Sequence, residues 1–165
     1  MEAEYRRLKS AWHSGLYSRE EALHLLYFAW YHWADPQFVT GLEYDPDAYE
    51  LWLEIFDSFD GEHSKDAEFL YVASLMAGLC PEGLGDVTEW TARAERMEDR
   101  YSRLRPEGFS QEHFDGRGDY GEYFANHARA RQARPIGQDL HSSGLRGWVI
   151  NVAQRLFGLT RPVSS

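Results

Sequence analysis

The sequence predicts an all-α protein, a single compact helical domain of about seven helices spanning residues 1–165. Three observations carry this expectation. Apolar residues recur with the period of a helix in every periodic segment, and helix-capping patterns precede several of those segments. No run of four or more residues alternates with the period of a strand, and Val and Ile are scarce.

Tyr5, Leu8 and Trp12 stand at helical spacing, and Gly15 falls where a left-handed C-terminal cap belongs, so a first helix ends there. Ser18-Arg19-Glu20-Glu21 is a capping box, in which the hydroxyl accepts from an early helix amide and the carboxylate reaches back to the cap. The helix it opens runs through Leu23, Leu26, Tyr27, Trp30, Tyr31 and Trp33. It stops near Asp35, because Pro36 disfavours helical geometry in the residue before it. Asp45-Pro46-Asp47 offers an acceptor cap followed by proline at the first helical position, predicting a third helix over about 46–59 with Gly61 ending it.

Ser64 with Glu68 precedes the apolar positions Phe69, Leu70, Val72, Ala73, Leu75 and Met76, a fourth helix that ends before Pro81. Pro81 to Gly85 is expected as a turn. Asp86-Val87-Thr88-Glu89 repeats the capping logic, and Val87, Trp90, Ala94, Met97, Tyr101 and Leu104 draw one apolar stripe. On its wet side Glu89 with Arg93 and Asp99 with Arg103 are spaced to pair. After a Gly-rich stretch from Pro106 to Gly118, Asp119 is placed to cap a helix bearing Tyr120, Tyr123, Phe124, His127 and Ala128. A last helix, about Ser143 to Phe157, puts Leu145, Trp148, Val149, Val152 and Leu156 on one side. No internal repeat or low-complexity segment is visible.

A chain of 165 residues can bury roughly 70% of its unfolded surface without disulfides or metal. Six Trp, ten Tyr and nine Phe exclude disorder despite the acidity. Cys80 is the only cysteine, which excludes an intrachain disulfide and favours a reducing compartment. Met1-Glu2-Ala3-Glu4-Tyr5-Arg6 lacks the apolar region of a signal peptide, so cytoplasmic residence is expected. The most apolar run, Ala22 to Ala34, is broken by His24 and His32 and falls short of the ~20 residues a membrane span takes, so no membrane association is expected.

Charge is the most informative pattern. Asp35 to Glu68 holds eleven acidic residues against one base, Lys65, a net charge of −10 that equals that of the whole chain. Acidity confined to one stretch makes a directional field able to attract a basic partner. At the helical angle per residue, Asp47, Glu50, Glu54 and Asp57 fall in one arc, with Tyr49, Trp52, Leu53, Phe56 and Phe59 on the opposite side. Asp45, Asp60 and Glu62 extend this acidic ridge at its ends. Like charges at helical neighbour spacing repel by a few tenths of a kcal/mol per pair. A surface serving solubility alone could have mixed its signs, so a basic protein partner is the functional reading and a solvated face the plain one.

Other constellations carry less. Seven histidines form no HExxH, and there is no paired cysteine or three-ligand cluster at helical spacing, so neither a metal nor another cofactor is expected. His24, His32 and His127 lie among aromatics and are expected as core histidines bonded to backbone or Tyr. Gly116-Arg117-Gly118-Asp119 has the outline of a phosphate loop, but Asp119 puts its own carboxylate where the anion would sit. Arg129, Arg131 and Arg134 form a basic cluster expected to pair with the acidic region, since nucleic acid repels a globally acidic protein. Cys80 is expected as a small buried apolar residue. The last helix, with only Arg146 and Arg155 as bases, is expected in the core rather than on a membrane.

No catalytic constellation emerges. A compact, acidic, signal-free helical chain of this kind resembles the immunity proteins that accompany bacterial toxins. The phrases Trp30-Tyr31-His32-Trp33-Ala34-Asp35-Pro36-Gln37-Phe38-Val39-Thr40-Gly41-Leu42 and Gly116-Arg117-Gly118-Asp119-Tyr120-Gly121-Glu122-Tyr123-Phe124 are similar to small bacterial proteins of that type. The resemblance transfers no individual functional residue. It implies a protein that binds its cognate toxin in the cytoplasm and blocks the active site or a required surface. Asp45, Asp47, Glu50, Glu54, Asp57, Asp60 and Glu62 are the expected contact residues. Two other classes stay open: an adaptor or chaperone for a secreted protein, and a small hydrolase using carboxylates. A raised carboxylate pKa in a pocket would favour the enzyme, and an ionised ridge would favour the binder.

With one thiol and no ligand cluster, neither a reductant nor a chelator should move the melting temperature. A chelator-induced drop of several degrees, read by differential scanning fluorimetry, would reveal a missed metal site.

Overall fold

The run from Phe69 to Gly78 has no polar side to offer water, and a helix that is apolar all round must lie in the middle of its fold. The computed structural model describes residues 1–34, 40 and 42–132, and every regular element among them is helical. In order these are α1 (Glu2–His13), α2 (Arg19–Ala34), α3 (Ala48–Ser58), a 3-10 turn at Gly61–His63, α4 (Ala67–Leu79), the single-turn α5 (Pro81–Leu84), α6 (Val87–Leu104), a second 3-10 turn at Gln111–His113, and α7 (Gly118–Gln132). The all-α class is as expected. The expected helix over 143–157, together with Asp35 and Arg134, lies outside the described residues.

Every position of α4 from Glu68 to Gly78 is buried, and α6 makes the most extensive packing against it. α2 packs on α3, α1 on α2, and α7 on the 111–113 turn and α2. Rings fill the space between. Trp52 stacks on Phe56 at 5.1 Å and meets Trp90 edge-on at 5.9 Å, while Phe59 lies parallel to Phe69 at 4.5 Å. Farther along α4, Tyr71 collects Tyr101, Phe109, Phe114 and Phe124. Aromatic pairs at such separations add to the area they bury. α7 reaches this cluster only because Gly121 has no side chain: a Cβ there would stand 2.2 Å from the Phe114 carbonyl oxygen.

Local signals set most helix ends. Gly15 adopts φ 69°, its amide bonds the Trp12 carbonyl and that of Leu16 the Ala11 carbonyl, the Schellman arrangement that closes α1. The Ser18 capping box is complete, with the Glu21 amide on Ser18 Oγ at 3.2 Å and the Ser18 amide on Glu21 Oε2 at 3.0 Å. Asp86 accepts from the Glu89 amide at 2.8 Å as expected.

Several details depart from the sequence reading. α3 begins at Ala48, because Asp45 Oδ1 accepts the Asp47 amide in a turn ahead of the helix. The left-handed residue that ends it is Asp60 (φ 68°), with Gly61 (φ 50°) following. Asp66 rather than Ser64 caps α4, accepting from the Glu68 and Phe69 amides, while Ser64 Oγ accepts from Asp66. Pro81 to Leu84 is helical, since proline at a first helical position is preorganised for it. α7 starts at Gly118, which places Asp119 inside its first turn. Arg93 turns to the ring of Trp90, 4.3 Å away, and to Glu62. Arg131 pairs with Glu98 on α6 instead of the acidic region, and Arg129 bonds Asn126. Cys80 is only half-buried, at the end of α4. His24 bonds the Glu20 carboxylate rather than a backbone or Tyr group, with its ring stacked on Tyr120 at 4.5 Å.

Three histidines are held neutral. Burial pushes His24, His32 and His127 below the ordinary 6.5, and for His127 burial, reinforced by Arg131, takes the value to about 4. Above 6.5 the ring is neutral in the folded and unfolded chain alike. Below it the unfolded chain takes up a proton that the folded one refuses, so stability falls until the folded value is reached. Stability read from urea midpoints should therefore decline from about pH 6.5 toward pH 4, with His127 contributing on the order of 3 kcal/mol by the lower end. His127→Gln should flatten that part of the profile, and an unchanged slope would show that the ring does not govern it.

Candidate functional site

The amphipathic division of α3 decides which carboxylates face water. Ala48, Leu51, Trp52, Ile55 and Phe56 are buried, and Asp47, Glu50, Glu54 and Asp57 are exposed on the other side. The buried stripe thus contains Leu51 and Ile55, whereas Tyr49, Leu53 and Phe59, expected in it, are half-buried at its borders. Asp60 is exposed one residue beyond the C-cap.

The other two expected ridge residues turn into the fold. Asp45 accepts from the Tyr5 hydroxyl at 2.5 Å and from Lys9 Nζ at 2.6 Å. Burial raises its pKa, but Lys9 and Tyr5 outweigh burial and hold it below the usual range. Glu62 meets Arg96 at 2.8 Å and Arg93 at 4.0 Å, and these arginines likewise overcome burial to lower its pKa. The rest of the described acidic stretch is also met by bases from elsewhere: Glu43 by Arg6 at 2.5 Å, and Asp66 by both ends of the Arg19 fork at 2.6 and 2.7 Å.

What remains is a row on one side of α3. Among the described residues Glu50, Glu54, Asp57 and Asp60 have no base within ion-pair distance, and Asp47 has only Lys9, 3.6 Å away. The last turn of α3 carries no base, so Asp57 faces the negative end of the helix dipole uncompensated. Beside the row stands an apolar edge that the sequence did not single out. Trp12 Nε1 approaches Glu54 at 3.4 Å, Tyr17 packs on Trp12 at 4.4 Å, and Leu16 next to it is 79% exposed.

A second constellation lies inside the molecule. Glu68, in the first turn of α4, accepts from the Tyr120 hydroxyl at 2.7 Å, Arg117 Nη2 at 2.6 Å, Arg19 Nη2 at 3.1 Å and, at 3.3 Å, faces His113 Nε2. Arg117 also forks onto Glu20 at 2.6 and 2.5 Å. Burial pushes the Glu68 pKa up, yet Tyr120, Arg117 and Arg19 together hold it below the ordinary value. Arg117 was visible only as part of a loop between two glycines, and Glu68 only as a neighbour of an apolar run. No local pattern joins Glu68 to Tyr120, 52 positions on in the chain, or to Arg117 just before it.

This carboxylate is saturated with donors, which suits it to structure and not to proton transfer. Among the described carboxylates, every displaced pKa that the structure resolves is displaced downward, opposite to what a catalytic acid at neutral pH needs. Among the described residues no group of three His, Cys, Asp or Glu side chains is arranged to hold a metal ion, and no helix is long and apolar enough to cross a membrane. Compared with known protein families, curated proteins and solved structures, the chain matches none.

The two kinds of carboxylate should differ sharply in their weight on stability. Glu68→Gln removes the charge that Tyr120, Arg117 and Arg19 converge on, while Arg117 keeps Glu20, a loss of about 2–3 kcal/mol. Glu50→Gln on the exposed row should change stability by less than about 0.5 kcal/mol. Chemical denaturation of both variants checks this, and equal small effects would mean that Glu68 does not hold the network together.

Proposed function

We propose that the protein is an immunity-type inhibitor that acts in the cytoplasm, binding and neutralising a cognate bacterial toxin through a basic surface of that toxin. The row Asp47, Glu50, Glu54, Asp57 and Asp60 is the centre of contact. Asp45 and Glu62 flank it and hold its ends in place through Lys9, Tyr5 and Arg96. The observation that supports this reading is the partition of charge: Asp45, Glu62 and Asp66 turn inward and, like Glu43 at the surface, meet bases, while on the outer side of α3 only Asp47 has one, Lys9 at 3.6 Å. Neighbouring carboxylates at 47, 50, 54 and 57 repel one another, and Asp57 opposes the helix dipole. A partner supplying lysines or arginines would offset both costs.

Such a contact steers encounter by complementary charge, and the Trp12, Leu16 and Tyr17 edge beside Glu54 supplies the apolar and aromatic area from which binding energy chiefly comes. The mechanism is steric: a folded domain seated over the toxin's working surface. An adaptor or chaperone for a secreted protein shares this surface chemistry but releases its client, which separates the two readings by dissociation rate.

Reversing Glu50, Glu54 and Asp57 to Lys in one variant tests the site. These side chains point away from Trp52 and Ile55, so the fold should survive, and removing acids from the C-terminal turn should leave stability equal or slightly higher. Co-expressed with a toxin encoded beside it, the wild-type chain should protect the host and the variant should not. Association of the purified pair should slow at least about tenfold and lose its salt dependence. Full protection by a folded variant would return the row to the role of a solubility surface.

A further inference from the structure

One side of α6 is lined by Arg93, Arg96, Arg100 and Arg103, at spacings of three and four that make them neighbours on a helix. A cleft of about 170 Å³ opens between that side and the 61–63 turn, lined by Glu62, His63, Arg96, Asp99, Arg100 and Arg103. The arginines are unequally committed. Arg96 is spent on Glu62 at 2.8 Å, and Arg93 shares that carboxylate. Arg100 donates only its Nε, to the Ser64 carbonyl at 2.6 Å, which fixes the guanidinium plane while its Nη groups have no acceptor among the described residues. Arg103 is exposed and has no carboxylate within ion-pair distance, Asp99 four residues before it included.

We propose that this cleft binds a compact polyvalent oxyanion of the phosphate type, gripped by Arg100 and Arg103 with His63 at the rim. A guanidinium fork matches phosphate oxygens in pairs, and an Arg whose Nε is already anchored loses little further freedom on presenting its Nη groups. With Glu62 neutralised by Arg96, the acid left to oppose the pair is Asp99. A divalent anion therefore meets a local excess of positive charge, whereas chloride has one charge and no paired oxygens to match a planar fork. The net charge of −10 does not prevent this, because exposed charges farther than about 8 Å are screened at physiological salt. The same chemistry serves a free anion or the terminal phosphate of a small ester, and the cleft adjoins the α3 row at Asp60 and Glu62 but takes its ligand through Arg100 and Arg103, which the row does not use.

The test is a titration of the full chain with pyrophosphate, inorganic phosphate and glycerol phosphate, followed by amide, arginine Nε and imidazole signals in heteronuclear NMR. Saturable shifts at His63, Arg100 and Arg103 with a Kd of about 1 mM or tighter are expected. Pyrophosphate ahead of glycerol phosphate indicates a free anion as the natural ligand, and the reverse order an ester. Arg103→Gln, at an exposed position, should keep the fold and weaken binding about tenfold, as should Arg100→Lys, which retains charge but loses the fork. The Glu50, Glu54, Asp57 triple variant should bind the anion undiminished. Shifts that never saturate below about 20 mM, that sodium chloride reproduces at equal ionic strength, or that persist in Arg103→Gln and Arg100→Lys overturn the proposal.

Discussion

The carboxylate of Glu68 lies in the first turn of a helix that is otherwise apolar on every side, and the placement of four other parts of the chain follows from satisfying it. A charge taken out of water costs several kcal/mol unless donors replace its hydration. Here Arg19 comes from the start of α2, His113 from the second 3-10 turn, Arg117 from the loop before α7, and Tyr120 from the first turn of α7. Because Arg117 also forks onto Glu20, the starts of α2 and α7 are drawn to the same point. The aromatic contacts of Tyr27 with Tyr120, Tyr123 and Phe124 continue that alignment down both helices. The N-terminal end of α4 is also where the helix dipole best tolerates negative charge, and Asp66 uses it as the cap.

Satisfying buried carboxylates uses up bases, and this shapes the surface. Arg19, Lys9, Arg6, Arg93 and Arg96 are all engaged by acids of the 43–68 region. A stretch that looks uniformly acidic in sequence divides, once folded, into carboxylates met by bases, half-buried at Asp45, Glu62 and Asp66 and exposed at Glu43, and a row on α3 where only Asp47 has a base near it. The row is held in a conformation that costs energy: Asp60 occupies a left-handed position that glycine would fill without strain, and like charges repeat along the helix. On α6 four arginines are matched by Glu89, Glu95, Glu98 and Asp99, so that helix is neutral overall and its positive charge is confined to one side.

The core achieves its density with rings more than with aliphatic side chains. Trp52, Phe56 and Trp90 cluster with Phe69 of α4, and Phe109, Phe114 and Phe124 with Tyr71, two residues on and so on the opposite side of that helix. Rings of this size leave little slack, and at two glycines even a Cβ would collide: Gly121 against the Phe114 carbonyl and Gly83 against the Trp33 ring. Histidines at 24, 32 and 127 pack as neutral rings in the same space.

The sequence by itself determined the helical class, the order of the helices and the exposure of Asp47, Glu50, Glu54 and Asp57, because period and capping act over three or four residues and are written locally. It determined the Gly15, Ser18 and Asp86 caps for the same reason. It left α3 and α4 one or two residues out of place, since Asp45 and Asp66 had competing uses that only their distant partners resolve. The tertiary structure alone decided that Asp45 and Glu62 turn inward, that Arg131 serves Glu98, that Trp12 stands beside Glu54, and that Glu68 is the polar centre of the core. Each of these joins residues tens of positions apart, and the energy that selects them comes from desolvating charge in a shared interior that no stretch of sequence contains until the chain has closed around it.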